Sequence, residues 1–134
     1  METTINLSTV QILVAEDDMA NFYLIKELLS STSAKILHAW DGEEAVRIFT
    51  SNPGIDMILM DIRMPKMDGY EAAAEIRKFN NKIVIIAQTG YVFEEDKQKA
   101  KDLGFDDYLC KPINEENLIS IIVRHLDNKK FPEN

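Results

Sequence analysis

Residues 12–18 read ILVAEDD, and residues 57–61 read MILMD. Each stretch is a continuous apolar run that ends in carboxylates. An apolar run without polar alternation is typical of a strand in a parallel sheet that is covered by helices on both faces. The two stretches therefore predict central strands of an α/β sheet, with acidic side chains at their carboxyl ends.

Five short apolar runs alternate with stretches of helical periodicity, which is the pattern of parallel strands joined by crossover helices. The runs are Val10–Ala15, Ala34–Ala39, Asp56–Met60, Lys82–Gln88 and Asp107–Cys110. The second and fifth runs carry or adjoin charged residues and predict the edge strands, where polar side chains discourage strand addition. The expected fold is α/β, with a five-stranded parallel sheet of order 2-1-3-4-5.

Apolar residues recur at helical spacing between the runs. Two helices are predicted from Val92 to about Leu103, where Gly104 ends the helix, and from Asn114 to about Leu126. Three earlier helices are predicted from apolar stripes, namely Phe22, Ile25, Leu28 and Leu29, then Ala45, Ile48 and Phe49, then Ala72, Ala73, Ile76 and Phe79.

The composition is that of one globular domain, with 134 residues, 46% hydrophobic and 28% charged. We expect the domain over residues 10–126, with polar tails at residues 1–9 and 127–134. The formal net charge of −8 disfavours direct contact with nucleic acid or with an anionic membrane. The single Cys110 and the lack of a long apolar run predict a cytoplasmic location.

Acidic side chains follow the first and third predicted strands. In an open parallel sheet the ligand site lies beyond the strand ends where the strand order reverses, so Glu16, Asp17 and Asp61 are expected to meet there. Carboxylates about 5 Å apart repel each other by roughly 3 kcal/mol per pair, and such a cluster requires a cation. Oxygen ligands that leave room for water suit Mg²⁺. The alternative is that Asp17 or Asp18 merely caps the first helix.

A lysine follows the fifth run. Lys111 precedes Pro112, whose ring restrains the backbone and favours an ammonium held over the sheet end. The three negative charges would then be balanced by Mg²⁺ and Lys111 together, and the site would be ready to accept a phosphoryl group. The alternative is an ordinary surface lysine near a turn.

Four blocks of the sequence resemble those of the response-regulator receiver domain of two-component signalling. They are ILVAEDD, DMILMDIRMPKMDGYEAAAEIR, IVIIAQTGY and GFDDYLCKPI, in the family's order and spacing from about Val10 to Leu126. The resemblance implies a flavodoxin-like fold with five strands and five helices. It also implies that Asp61 accepts a phosphoryl group from a kinase phosphohistidine.

The same resemblance implies the other roles at the site. Glu16 and Asp17 match the acidic pair that holds Mg²⁺, and the backbone carbonyl of Arg63 would be a further metal ligand. Asp61 itself would complete the metal site.

A conformational switch is also implied. Thr89 matches the hydroxyl that closes on the phosphoryl oxygen, Lys111 the ammonium of the site, and Tyr108 the rotating aromatic. The surface that changes would comprise the fourth helix, the fifth strand and the fifth helix, where Val92, Phe93 and Tyr108 lie. We interpret His38 and His125 as structural, because nothing in the sequence places either near the acids.

The implied partners are a histidine kinase or a histidine phosphotransfer domain, and a downstream effector or the chain's own kinase core. The chain would promote only its own phosphorylation and dephosphorylation. The resemblance leaves open a phosphorylation-dependent dimer. It also leaves open whether the chain is a stand-alone regulator or the receiver of a hybrid histidine kinase. The block ILVAEDD and the stretch Met64 to Arg77 are more similar to hybrid-kinase receivers.

Three other functions compete with this interpretation. A small Mg²⁺-dependent phosphatase would carry a second Asp where this chain has Arg63. A flavin carrier of the same fold would need a phosphate-binding loop after the first strand, and the acids there would repel phosphate. A receiver that works as an interaction module without phosphorylation would not need the complete set of site residues.

Overall fold

The computed structural model describes residues 5–90 and 94–126, without the side chains of residues 94–96. Five strands alternate with five helices in that part of the chain. The strands are β1 (Gln11–Ala15), β2 (Lys35–Ala39), β3 (Met57–Asp61), β4 (Val84–Thr89) and β5 (Asp107–Cys110). The helices are α1 (Met19–Leu28), α2 (Gly42–Ser51), α3 (Gly69–Phe79), α4 (Glu94–Asp102) and α5 (Glu115–His125).

The strands form one parallel sheet in the order β2-β1-β3-β4-β5, which confirms the predicted order. Two strands end one residue later than predicted. β3 ends at Asp61 and β4 ends at Thr89. The pairing of Asp61 with Gln88, and of Thr89 with Cys110, continues the ladder into these positions. The carboxylate of Asp61 and the hydroxyl of Thr89 thus lie at the ends of neighbouring strands.

The sheet has a core on each face. One core packs against α2, α3 and α4, and the other packs against α1 and α5. Successive residues of β1 serve opposite cores, since Leu13 belongs to the first and Ile12 and Val14 to the second. This two-sided burial explains why the central strands are apolar without alternation.

Two apolar residues differ from the expected arrangement. Phe79, which we placed on the buried stripe of α3, is 67% exposed. At this end of α3 the side chain of Arg77 turns inward instead, and it donates to the carbonyls of Ile83 and Gly104. Leu7, which precedes the first predicted strand, is completely buried.

The fourth helix begins at Glu94 among the described residues. Its predicted start at Val92 lies outside them. Every helix in the described part of the chain is too short or too polar to cross a membrane.

The start of α3 lies unusually close to the end of β3. A Cβ atom on Gly69 would stand 2.3 Å from the carbonyl oxygen of Asp61 and 2.8 Å from the Cα atom of Ile62. Both are backbone atoms that cannot move aside independently. Glycine at this position therefore allows the loop after Asp61 to fold back against the strand end.

We expect Gly69→Ala to lower the free energy of unfolding by about 1–3 kcal/mol, because the added methyl group forces the backbone apart. Gly90→Ala is the matched control, since a Cβ atom there would meet nothing within 4 Å. Urea unfolding of both variants measures the difference. Equal stability of the two variants would contradict the close approach at Gly69.

Candidate functional site

Three carboxylates meet at the edge of the sheet where the strand order reverses. Oxygen atoms of Glu16, Asp17 and Asp61 lie within 4.8 Å of one another. Glu16 is completely buried, Asp61 is 5% exposed, and Asp17 faces solvent. The cluster is therefore buried on one side and open on the other.

Lys111 lies over this cluster. Its Nζ atom is 3.1 Å from Oδ2 of Asp61 and 3.2 Å from Oε1 of Glu16. The backbone N–H of Lys111 donates to the carbonyl of Thr89, which anchors the residue beside the end of β4. Lys111 is thus part of the acidic site, with its side chain only partly exposed.

The buried charges shift the proton affinities of the site. Burial and the neighbouring Asp61 raise the pKa of Glu16 to about 7, although Asn21 and the Lys111 ammonium act in the opposite direction. Burial by itself would lower the pKa of Lys111, but its contacts with Asp61 and Glu16 outweigh that effect and raise it. One ammonium therefore does not fully offset the repulsion between the acids.

The donor set fits a hard divalent cation. The clustered ligand atoms are all carboxylate oxygens, with neither a histidine nor a cysteine among them in the described part of the chain. Such oxygens, with an open side for water, suit Mg²⁺ better than Zn²⁺, which prefers nitrogen and sulfur. Burial and Asp61 raise the pKa of Glu16, which means that its ionised form is disfavoured. A further positive charge here would stabilise that ionised form.

The remaining predicted residues lie around the cluster. The backbone N–H of Arg63 donates to Oδ1 of Asp61 over 3.2 Å. Thr89 is the last residue of β4 and is half-buried. Tyr108 pairs with Ala87 in the sheet, so Tyr108 lies on the same face of the sheet as Ala87 and Thr89.

Tyr108 borders a surface cleft. The cleft has a volume of about 310 Å³ and is lined by residues of α4, of β5 and of the segment between them, including Lys97 and Phe105. The Nζ atom of Lys97 lies 5.1 Å from the centre of the Tyr108 ring. Tyr108 is half-buried against the core that packs on α2, α3 and α4. Val92 and Phe93, which we also assigned to this surface, lie outside the described residues.

Two amide residues of the site were missed from the sequence. The Nδ2 atom of Asn21 donates both to Oε1 of Glu16 and, over 3.2 Å, to Oε1 of Gln88. Gln88 is completely buried. A glutamine inside the apolar run of β4, next to Thr89, was the available signal, because a polar side chain in a central strand requires a partner.

The two histidines occupy different surroundings. Nε2 of His38 lies 2.8 Å from the backbone carbonyl oxygen of Glu16, and its ring stacks on Phe22. His38 thus contacts the backbone of one of the acids, which no pattern in the sequence indicated, and both of these contacts fit the structural role that we assigned to it. His125 lies 2.8 Å from Oδ2 of Asp107, away from the cluster.

We expect Glu16 to make the metal-free protein less stable as the pH rises from 4.5 to 7. Its pKa is 4.5 in the unfolded chain and about 7 in the fold, so the folded state holds the proton more tightly in that interval. The loss is roughly 1–3 kcal/mol and persists above pH 7. Urea unfolding in the presence of EDTA measures it against Glu16→Gln, which lacks this titration. Parallel pH profiles of the two proteins would show that Glu16 does not carry the effect.

The comparisons with known proteins agree with this geometry. The family model for the response regulator receiver domain matches residues 12–123. The sensor histidine kinase GacS of Pseudomonas protegens is 31% identical over 128 residues, which are 92% of this chain but 14% of that protein. This chain spans less than a fifth of the length of GacS and of similar curated relatives.

Two solved structures have the same fold. One is the receiver domain of the sensor histidine kinase PA1611 of Pseudomonas aeruginosa with a magnesium ion in its active-site cleft. It is 35% identical with a TM-score of 0.80, over 87% of this chain and 96% of that one. The other is the receiver domain of Ssk1 of Saccharomyces cerevisiae in complex with the phosphotransfer protein Ypd1, with 29% identity and a TM-score of 0.83 over 92% and 91% of the two chains.

Proposed function

We propose that Asp61 is the phosphoacceptor of this chain, which belongs to the response regulator receiver domain family. Members of this family are the receiver domains of two-component phosphorelay signalling. The observation that carries the proposal is the placement of Asp61. It is the buried last residue of a central strand, it lies 3.1 Å from Lys111, and it is clustered with Glu16 and Asp17.

The reaction is the transfer of a phosphoryl group from a phosphohistidine. A carboxylate oxygen of Asp61 forms a bond to phosphorus while the bond from phosphorus to the imidazole nitrogen breaks, and its electron pair returns to the ring. The product is an acyl phosphate on Asp61. The Lys111 ammonium, already beside the carboxylate, offsets the charge that gathers on the phosphoryl oxygens.

Glu16, Asp17 and Asp61 are the residues that would hold Mg²⁺, with the backbone carbonyl of Arg63 as a further ligand. When bound, the ion supplies positive charge against both the acids and the phosphoryl oxygens. The proposal is supported by the all-oxygen donor set and by the magnesium ion in the related PA1611 receiver.

The partner we propose is a histidine kinase or a histidine phosphotransfer domain, in line with the Ypd1 complex of the related Ssk1 receiver. The receiver would report to a downstream effector or to the kinase core of its own chain. The exposed free thiol of Cys110 is consistent with the cytoplasmic location that we propose.

Incubation with acetyl phosphate and Mg²⁺ is expected to add one base-labile phosphoryl group, and Asp61→Asn should abolish it because an amide is not a nucleophile. Intact-protein mass spectrometry measures the labelling. Asp18→Asn is the matched control, since it removes one neighbouring exposed charge and keeps a side chain that can cap α1. Labelling of Asp61→Asn at the level of the control would refute the assignment.

We further propose that Thr89 and Tyr108 form the switch. A phosphoryl group on Asp61 offers acceptor oxygens to the hydroxyl of Thr89, and a hydrogen bond to a charged group contributes about 1.5–3 kcal/mol. Movement of Thr89 frees space on the face of the sheet that it shares with Tyr108. An energy of that size shifts a two-state population by about ten- to a hundredfold.

Beryllofluoride with Mg²⁺, a mimic of the bound phosphoryl group, is expected to change the amide chemical shifts of Tyr108 and α4 as well as those around Asp61. Thr89→Ala should remove the changes at Tyr108, and Thr89→Ser should retain them because the hydroxyl is kept. Changes confined to the loops around Asp17 and Asp61 in the wild-type protein would eliminate the switch.

A further inference from the structure

Hydrogen bonds connect the side chain of Glu16, one of the proposed metal-binding acids, through Asn21 to Gln88 at the end of β4. Asn21, in the first turn of α1, donates its Nδ2 hydrogens to Glu16 and to Gln88. The Oε1 atom of Glu16 also faces Nζ of Lys111 at 3.2 Å. Two donors therefore converge on this one oxygen, whereas Oε2 accepts a long hydrogen bond from the backbone N–H of Asp18, over 3.4 Å.

This arrangement fixes the rotation of the Glu16 carboxylate. A carboxyl group turns freely about its last bond unless its oxygens are held, and donors on Oε1 direct Oε2 toward other ligands. Asn21 itself has two possible orientations, and its carbonyl oxygen would repel Glu16 if the amide were reversed. The Oε1 atom of Gln88 selects the productive orientation, because it accepts the second Nδ2 hydrogen.

Gln88 makes this contact at a cost in stability. It is completely buried, and its Nε2 atom finds no hydrogen-bond partner among residues 5–90 and 94–126. An unpaired buried donor destabilises a fold, so an apolar side chain of similar size would be favoured at this position if packing alone decided. The polar end of Gln88 is thus better explained by its contact with Asn21 than by its contribution to the core.

We propose that Asn21 and Gln88 are positioning residues for the Mg²⁺ ligand Glu16, with Asn21 in contact with the carboxylate and Gln88 orienting Asn21. This inference rests on the proposed Mg²⁺ site of Glu16, Asp17 and Asp61. Groups that hold a metal ligand in place affect metal affinity by about 10- to 100-fold without touching the ion. Gln88 acts through one more side chain, so its effect is smaller.

The test is titration of the full chain with magnesium chloride, followed by amide chemical shifts, together with urea unfolding in EDTA. Asn21→Ala is expected to weaken Mg²⁺ binding by about tenfold or more. Asn117→Ala is the matched control, because Asn117 is also the third residue of a helix whose N-cap side chain accepts from its backbone N–H. The control should bind Mg²⁺ as the wild type does.

Gln88→Leu separates positioning from packing. It should weaken Mg²⁺ binding by roughly threefold to tenfold while its urea midpoint in EDTA equals or exceeds that of the wild type, since the unpaired donor is gone. A merely structural role would lower both quantities together. The double variant should bind Mg²⁺ no more weakly than Asn21→Ala alone, because Gln88 acts only through Asn21.

Mg²⁺ affinity of Asn21→Ala within about twofold of the wild type would overturn the inference, and so would fully additive losses in the double variant. Asp17→Asn, titrated alongside, tests the metal site itself. Binding that is indifferent to Asp17→Asn, or absent from the wild type, overturns the proposed metal site. Binding that depends on Asp17 and is indifferent to Asn21 overturns only the positioning role.

Discussion

Two buried carboxylates share one ammonium at the carboxyl edge of the sheet. Lys111 lies 3.1 Å from Asp61 and 3.2 Å from Glu16, both of which are nearly excluded from solvent. Buried charges persist in a fold only when they are paired and hydrogen-bonded. One ammonium against two acids leaves the site short of positive charge, and burial together with the neighbouring Asp61 raises the pKa of Glu16. The same shortage makes the site receptive to a cation and, through it, to an anionic group.

The topology of the sheet makes this pairing possible. Because β1 and β3 are neighbours although they are not consecutive in the chain, Glu16 and Asp61 end side by side. Lys111 follows β5, which lies two strands away from β3, and strands are about 4.8 Å apart. A long side chain is required to cross the end of β4 from there. The hydrogen bond from the backbone of Lys111 to Thr89 fixes where that crossing begins.

The sequence was sufficient for the sheet and for the charged residues of the site. Strand order and the meeting of the acids follow from apolar runs that end in carboxylates, and these are local patterns. Asn21 and Gln88 were missed because their role depends on a contact between α1 and β4, and no local pattern reports it. Phe79 was misplaced for a related reason, since helical spacing identifies a face but not where the helix extends past its neighbours.

The last two residues of β4, Gln88 and Thr89, connect the surroundings of Glu16 on one face of the sheet with those of Tyr108 on the other. Consecutive residues of a strand point to opposite faces, so Gln88 and Thr89 face different cores although they are adjacent. Gln88 lies on the face of Ile86 and α1, where it contacts Asn21, and Thr89 lies on the face of Ala87 and Tyr108. Any displacement of this strand end changes both faces together, because one backbone carries both side chains. The orientation of Glu16, the proposed metal ligand, and the packing of Tyr108 are therefore linked through two neighbouring residues of one strand.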